Sequence, residues 1–308
     1  MATRVGGLTT TEIVRQSLTG RKKDWKSLVF EGLLLFTLLV SLVILITLLS
    51  NVMRGGFSVL AERGGHFLSS GLSSLPERSG VYQGLVGSFL MMVFVMVVAF
   101  PLGIGAAVYL EEYAPDTRLT RFITVNIRNL AGVPSVVYGL LGLAIFVELL
   151  ERNTGGRSII SGGLTLAILA LPIVIITASE AIRAVPQSIR EAGFGVGATR
   201  WEVVRSHVIP SAAPGILTGC VLSISRALGE TAPLLLVGAT TGFLATGGLY
   251  EQLYSPFTSL PTIIFAWAKE PDPGFQQLTA AAIIVLLVLI LTANAAAILL
   301  RNRYERKW

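Results

Sequence analysis

Arg226 and Glu230 lie four residues apart within an apolar run from Pro214 to Gly238. At helical spacing the two side chains share one face and can pair. An ionisable residue near the middle of a membrane-length run costs roughly 2.5–3.5 kcal/mol to insert, and is a functional signal by default. The chemistry open to the arginine is anion binding. Its planar, permanently charged fork can hold two oxygens of an oxyanion at once. The carboxylate can hold the guanidinium when no anion is present and weakens the grip when one is. The other reading of the pair is a structural lock between two helices. Pro233 leaves the carbonyl of Gly229 without its helical donor. That predicts irregular backbone beside the pair, lining a cavity.

A second constellation is the polar stretch PQSIREAGFGVGATRWEVVRSHVIPSAAPG, which begins at Pro186. Pro186 can start a helix, because its missing donor is one of the unpaired groups of a first turn. The helix is expected to reach about Val196 and to end at Gly197 through a positive φ. Thr199 can cap a second helix, with Glu202 three residues on completing a capping box. A helix–glycine–helix hairpin over about 186–206 is a rigid shape suited to pushing against a partner. The plainer alternative is a connector between two spans.

Other chemistries are excluded. The two histidines, His66 and His207, fall on opposite predicted sides, and the single Cys220 lies in an apolar run. No His/Cys metal cluster is plausible, and no disulfide within the chain is possible. There is no G-x-x-x-x-G-K-[ST] stretch, so the chain carries no phosphate-binding loop for ATP. Gly193, Gly195 and Gly197 do not form a dinucleotide fingerprint, and no nucleophile elbow is present.

The elements that must position these residues are membrane helices. Of the 308 residues, 53% are hydrophobic and only 14% are charged, against about a quarter in soluble domains. Six candidate spans are read: Leu28–Leu49, Gly84–Leu110, Leu130–Leu150, Ile159–Ala178, Pro214–Gly238 and Leu278–Leu300. The first run is too long for a cleaved signal and lacks a small-residue exit, so it reads as an uncleaved span. Interior prolines mark the middle four, at Pro101, Pro134, Pro172 and Pro233. Helices two to five are therefore expected to form the core, with one and six outside. The expected segments are an N-terminal tail (1–27), the first span (28–50), an outward loop (51–82), the main transmembrane domain (83–300) and a C-terminal tail (301–308). A short surface helix over 9–19 and a non-spanning apolar helix over Leu260–Ala268 are further expectations. The net charge is +6. Lys and Arg number sixteen in the tails and inward loops against six in the opposite loops. That bias places both termini in the cytoplasm. No basic stretch is interleaved with aromatics, so nucleic acid is not an expected partner.

With these residues in place, a family resemblance emerges. EAGFGVG followed by HVIP resembles the E-A-A-x(3)-G-x(9)-I-x-L-P signature of bacterial ABC importer permeases. Glu191, Ala192, Gly197 and Pro210 match in place and spacing. Gly193, His207 and Ile209 depart from the usual Ala, Ile and Leu. The resemblance implies that the hairpin is a coupling helix seated in a groove of a separate cytosolic ATPase. RALGETAP, NLAGVPSVVYGLLGLAIF and SPFTSLPTIIFAWA further resemble the phosphate-specific permeases, the A-type more than the C-type. This implies an all-α, six-span type I importer permease fold in a prokaryotic plasma (inner) membrane. It implies a substrate pathway with Arg226, Glu230 and Thr231. It implies a C-type permease as heterodimer partner, two ABC ATPase subunits that bind ATP and Mg, and an extracytoplasmic phosphate-binding protein. The chain itself is then not an enzyme and holds no cofactor. Import of another oxyanion, sulfate or molybdate, remains the nearest alternative. An integral-membrane enzyme on a lipid phosphate would need a polar catalytic cluster, and a self-contained channel would conduct alone.

Overall fold

The computed structural model describes residues 25–239 and 248–304. The expected surface helix over 9–19 lies outside them, as do most of the N-terminal tail and the end of the C-terminal tail. Every regular element among the described residues is helical.

The chain divides into two compact units, Met1–Asn51 and Val52–Trp308. Helix α1 (Trp25–Ser69) crosses that boundary and loses helical geometry at Arg63, where φ is −142° and ψ 27°. In the first unit its apolar side chains from Leu28 to Leu49 are exposed all round. A helix apolar on every face needs lipid or protein around it. The expected loop over 51–82 is largely helix instead, since α1 continues to Ser69. Glycines at 55, 56, 64 and 65 lowered the helical signal there, but Val59 and Phe67 are buried, and packing outweighs the roughly 1 kcal/mol cost of each glycine.

In the second unit, α2 (Tyr82–Val108) continues into one widened turn, Tyr109–Tyr113. Then come α3 (Arg118–Ala131), α4 (Ser135–Gly142, widened over Leu143–Leu149), a one-turn α5 (Glu151–Thr154) and α6 (Ile159–Arg183). The hairpin is α7 (Gln187–Gly195) and α8 (Arg200–Val203), followed by a widened turn, Val204–Val208. After it come α9 (Ile209–Gly229), α10 (Ala232–Val237), α11 (Leu249–Leu253), α12 (Leu260–Trp267) and α13 (Pro273–Tyr304).

Five of these helices are long and apolar enough to cross a membrane, and a bent pair brings the number to as many as six. The bent pair corrects the third expected span. Leu130–Leu150 is not one straight helix: α3 and α4 meet at 102°. Pro134 caps α4 with an extended ψ of 137°. A residue before proline is itself pushed out of the helical region, and Gly132 offers no side-chain packing to hold the helix straight. Pro134 is thus a cap, while Pro101, Pro172 and Pro214 do lie inside helices.

Helix α6 is the centre of the bundle, with 67% of its apolar window buried against 11% for α13. Three apolar clusters make up the interior, and the second and third lie along α2 and α6. The first joins Val59 and Phe67 to α12 and to Leu278, Ala281 and Ala282 of α13. Trp267 anchors it, with ring centroids 6.4 Å from Phe67 and 6.0 Å from Phe275. The start of α13 is therefore inside the bundle, not outside as the proline pattern suggested. Helix α12, expected as a short apolar piece, is buried and capped by Ser259. The second cluster gathers Met91, Val95 and Ala99 against Leu166, Ala170 and Leu234. The third gathers Ala107, Ile182, Val203, Val208 and Ile216, and it roots the hairpin.

Candidate functional site

Arg226 sits in the last turn of α9, and the helix stops at Gly229. Glu230 is extended, with φ −77° and ψ 122°, and α10 begins at Ala232 with Pro233 in its first turn. The expectation of a continuous helix through Gly238 is corrected here. Proline at the start of a helix sacrifices no hydrogen bond, so Pro233 opens a new helix in place of kinking an old one. The expected irregular backbone is present, and it falls at Glu230 and Thr231. Glu230 reaches back from the end of α9 to place Oε1 3.4 Å from Arg226 Nε. The Arg226 side chain is 42% exposed in this chain and Glu230 18%. Thr231 is half-buried beside them.

The break is held from two sides. Ser225 Oγ donates to Asn294 Oδ1 of α13 at 2.7 Å, which ties the last turn of α9 to the final span. On the other side α4 packs against α10. The α3/α4 break therefore lies next to the α9/α10 pair, and Tyr138 Oη donates to the Leu130 carbonyl across the first break at 2.8 Å. A small pocket beside the break is lined by Met91, Met92, Leu166, Ala227 and Leu234, and Arg226 and Glu230 do not line it.

The hairpin forms as its residues dictate. Pro186 caps α7, Gly197 takes φ +84°, and α8 carries the reciprocal capping box of Thr199 and Glu202. Thr199 N donates to Glu202 Oε2 at 2.8 Å. Gly193 is buried, and a Cβ there would meet Val203 Cγ2 at 2.7 Å, so the glycine lets α7 close on α8. Glu191, Ala192 and Gly197 are exposed on the hairpin, and exposed Pro210 opens α9 behind it. Phe194, Val196 and Trp201 are exposed too, Val196 at 84%. An apolar tip on a polar hairpin is the composition of a docking surface.

Sequence reasoning missed the base of this hairpin. Arg183 pairs with Glu111 through two hydrogen bonds, of 2.8 and 3.2 Å. Arg190 pairs with Glu112 at 2.7 Å. Arg200 lies over the Tyr113 ring at 5.2 Å. The available signal was two adjacent carboxylates at the end of an apolar run, where the helix dipole disfavours them.

A bundle of broken and whole apolar helices, with a rigid apolar-tipped hairpin before the penultimate span, defines a polytopic permease component. The chain belongs to the family of binding-protein-dependent transport system inner membrane components, whose model matches residues 99–306. It is 37% identical over 216 residues to the probable ABC transporter permease protein YqgI of Bacillus subtilis (strain 168), covering 70% of each chain. It is 34% identical over 293 residues to the phosphate transport system permease protein PstA 1 of Mycobacterium tuberculosis (strain ATCC 25618 / H37Rv), covering 94% of this chain and 91% of that one. A bacterial ABC transporter that imports the acidic polysaccharide alginate shares the fold, with a TM-score of 0.60 at 16% identity, covering 92% of this chain and 100% of that one. The MetNI methionine ABC transporter does so with a TM-score of 0.59 at 16% identity, covering 76% and 100%.

Proposed function

We propose that this chain is the A-type membrane-spanning permease subunit of an ATP-driven importer of inorganic phosphate. The observation that carries the reading is the Arg226–Glu230 pair at the break between α9 and α10. A guanidinium beside lipid-length helices suits a tetrahedral oxyanion, because it offers paired donors and a charge that no physiological pH removes. Glu230 supplies a competing anion, so the cargo is held only transiently. Relatives that are phosphate transport system permeases support phosphate over sulfate or molybdate.

The remaining parts follow from the reading. The exposed face of Arg226 meets a C-type permease, and the path runs between the two subunits. The hairpin docks in the cytoplasm on one of two ATPase subunits, which hold ATP and Mg. An extracytoplasmic phosphate-binding protein delivers the cargo. Both termini are cytoplasmic, as the Lys/Arg bias directs. The chain itself is a transport subunit and not an enzyme.

The test is uptake by the reconstituted complex in proteoliposomes with ATP enclosed. The expected result is ATP-dependent phosphate uptake that excess sulfate and molybdate do not compete. Uptake of sulfate or molybdate in its place overturns the phosphate reading, and uptake without ATP or partner chains overturns the importer reading.

A further inference from the structure

The hairpin is joined to the bundle by a buried polar junction. Glu112 is 7% exposed and the Arg190 side chain 13%. Arg190 Nη2 and Nε donate to Glu112 Oε1 at 2.7 and 3.1 Å. Its Nη1 donates to the Val185 carbonyl at 2.7 Å, and Nη2 also donates to the Ile182 carbonyl at 2.9 Å. Those carbonyls belong to the end of α6 and the turn after it, where a helix runs short of internal donors; the Ile182 carbonyl also accepts from Val185 N at 3.2 Å. One guanidinium thus joins three elements: α7, which carries it, the end of α6, and the widened turn that ends α2. That widened turn matters. It carries both carboxylates, and Glu111 and Glu112 pair with different arginines, Arg183 and Arg190.

An ion pair is a poor device for stability alone. Apolar residues of similar volume often stabilise a buried site as well or better. What the pair supplies is direction. Apolar contacts between α7 and the bundle tolerate sliding, whereas four hydrogen bonds to a planar fork fix orientation. Ile182, Val185, Val203 and Val208 belong to one buried apolar cluster at the hairpin's base.

We propose that Arg190 and Glu112 are positioning residues for energy coupling. They make the docking hairpin, the end of α2 and the end of α6 one rigid lever. A displacement of the exposed tip at Phe194, Val196 and Trp201 then reaches two core spans instead of being absorbed at the hairpin's base. This rests on the permease reading of the hairpin, not on the identity of the cargo.

The experiment uses the full complex in proteoliposomes. It compares Glu112→Gln, Arg190→Lys and Arg190→Gln with the native chain. Three quantities are read: ATPase subunits retained, ATP hydrolysis with and without loaded binding protein, and uptake. The expected result is that complexes still assemble and hydrolyse ATP, but stimulation by the loaded binding protein falls about tenfold. Uptake per complex falls with it. Arg190→Lys recovers part of both, because a point charge replaces some of the bonds of the fork. Glu112→Gln is the mildest variant, since Arg190 keeps its two carbonyl partners, and it guards against a simple failure to fold. Native stimulation and uptake per assembled complex in both Glu112→Gln and Arg190→Gln overturn the proposal. So does a loss of uptake that only tracks lost complex across all three variants. A native complex stimulated by another oxyanion refutes the phosphate reading alone, and the same comparison is then made with that anion.

Discussion

Gly139 and Pro233 lie so close that a Cβ on the glycine would come within 2.6 Å of the proline Cα. The contact joins α4 to α10, the two half-length helices that follow the breaks at Gly132–Pro134 and Glu230–Thr231. Backbone meets backbone there, and no flexible side chain can yield. The Arg226–Glu230 pair sits at the head of one of these helices, so its position depends on this approach.

Gly139→Ala is therefore expected to destabilise the chain by about 1–3 kcal/mol through overpacking. Gly105→Ala is the control, since a Cβ there meets nothing within 4 Å in this chain. Thermal midpoints in detergent, read by size-exclusion recovery, separate the two. Equal midpoints would mean that α4 and α10 are not held at this distance.

The breaks themselves were only half legible. Apolar residues flank both Gly132–Pro134 and Glu230–Thr231, so an apolar count over a membrane-length window runs two elements into one. The proline positions pointed to disturbed backbone but could not say whether a helix kinks or stops. That choice depends on packing, here of Gly139 on Pro233 and of Tyr138 on the Leu130 carbonyl. The hairpin was legible because every signal in it is local: Pro186, Gly197, and Thr199 with Glu202. The Arg190–Glu112 junction was not, because its partners are 78 residues apart. Only the fold brings them together.

The hairpin turn gives a second prediction. Gly197 has φ +84° and open space around the site of a Cβ. A substitution there acts through backbone strain and not through collision. Gly197→Val is expected to cost about 1–2 kcal/mol and to reduce ATPase co-purification and uptake. Gly197→Asn should be clearly milder, because asparagine tolerates positive φ. Equal effects of the two would point to a lost contact with a partner.

The docking face gives a third. Glu191 and Trp201 are both exposed in the chain. Trp201→Ala should weaken capture of the ATPase by about 2 kcal/mol, the scale of an aromatic anchor at an interface centre. Glu191→Lys should abolish uptake while insertion stays normal, because it reverses a charge at the docked surface. Co-purification and uptake check both. Normal transport in both variants would reduce the hairpin to a connector.

Topology gives a fourth. In a Cys220→Ser background, Ser74→Cys should react with an impermeant thiol reagent added outside intact cells. Ser188→Cys should not. Both positions are exposed in the chain, so a difference reports the side of the membrane. Outside labelling at 188 would invert the topology and remove the hairpin from the cytosolic ATPase.

The last prediction separates a pathway role for Arg226 from a structural one. Its side chain is 42% exposed, and Glu230 Oε1 lies 3.4 Å from its Nε. If the pair only locks structure, removing either charge leaves the other unpaired, and Arg226→Gln and Glu230→Gln should lose assembled protein about equally. If Arg226 grips the cargo, the two variants should part. Arg226→Gln should assemble and lose uptake, because it removes the charge and keeps much of the shape. Arg226→Lys should be impaired as well, since an ammonium cannot offer the bidentate fork. Glu230→Gln should keep more uptake than Arg226→Gln, because the cation remains. Its apparent affinity for phosphate should also rise, since a competing carboxylate is gone. Membrane abundance and uptake, measured side by side, decide between the two. Matched losses of protein with native uptake per surviving complex would remove Arg226 from the path, and the anion would then need a different cation.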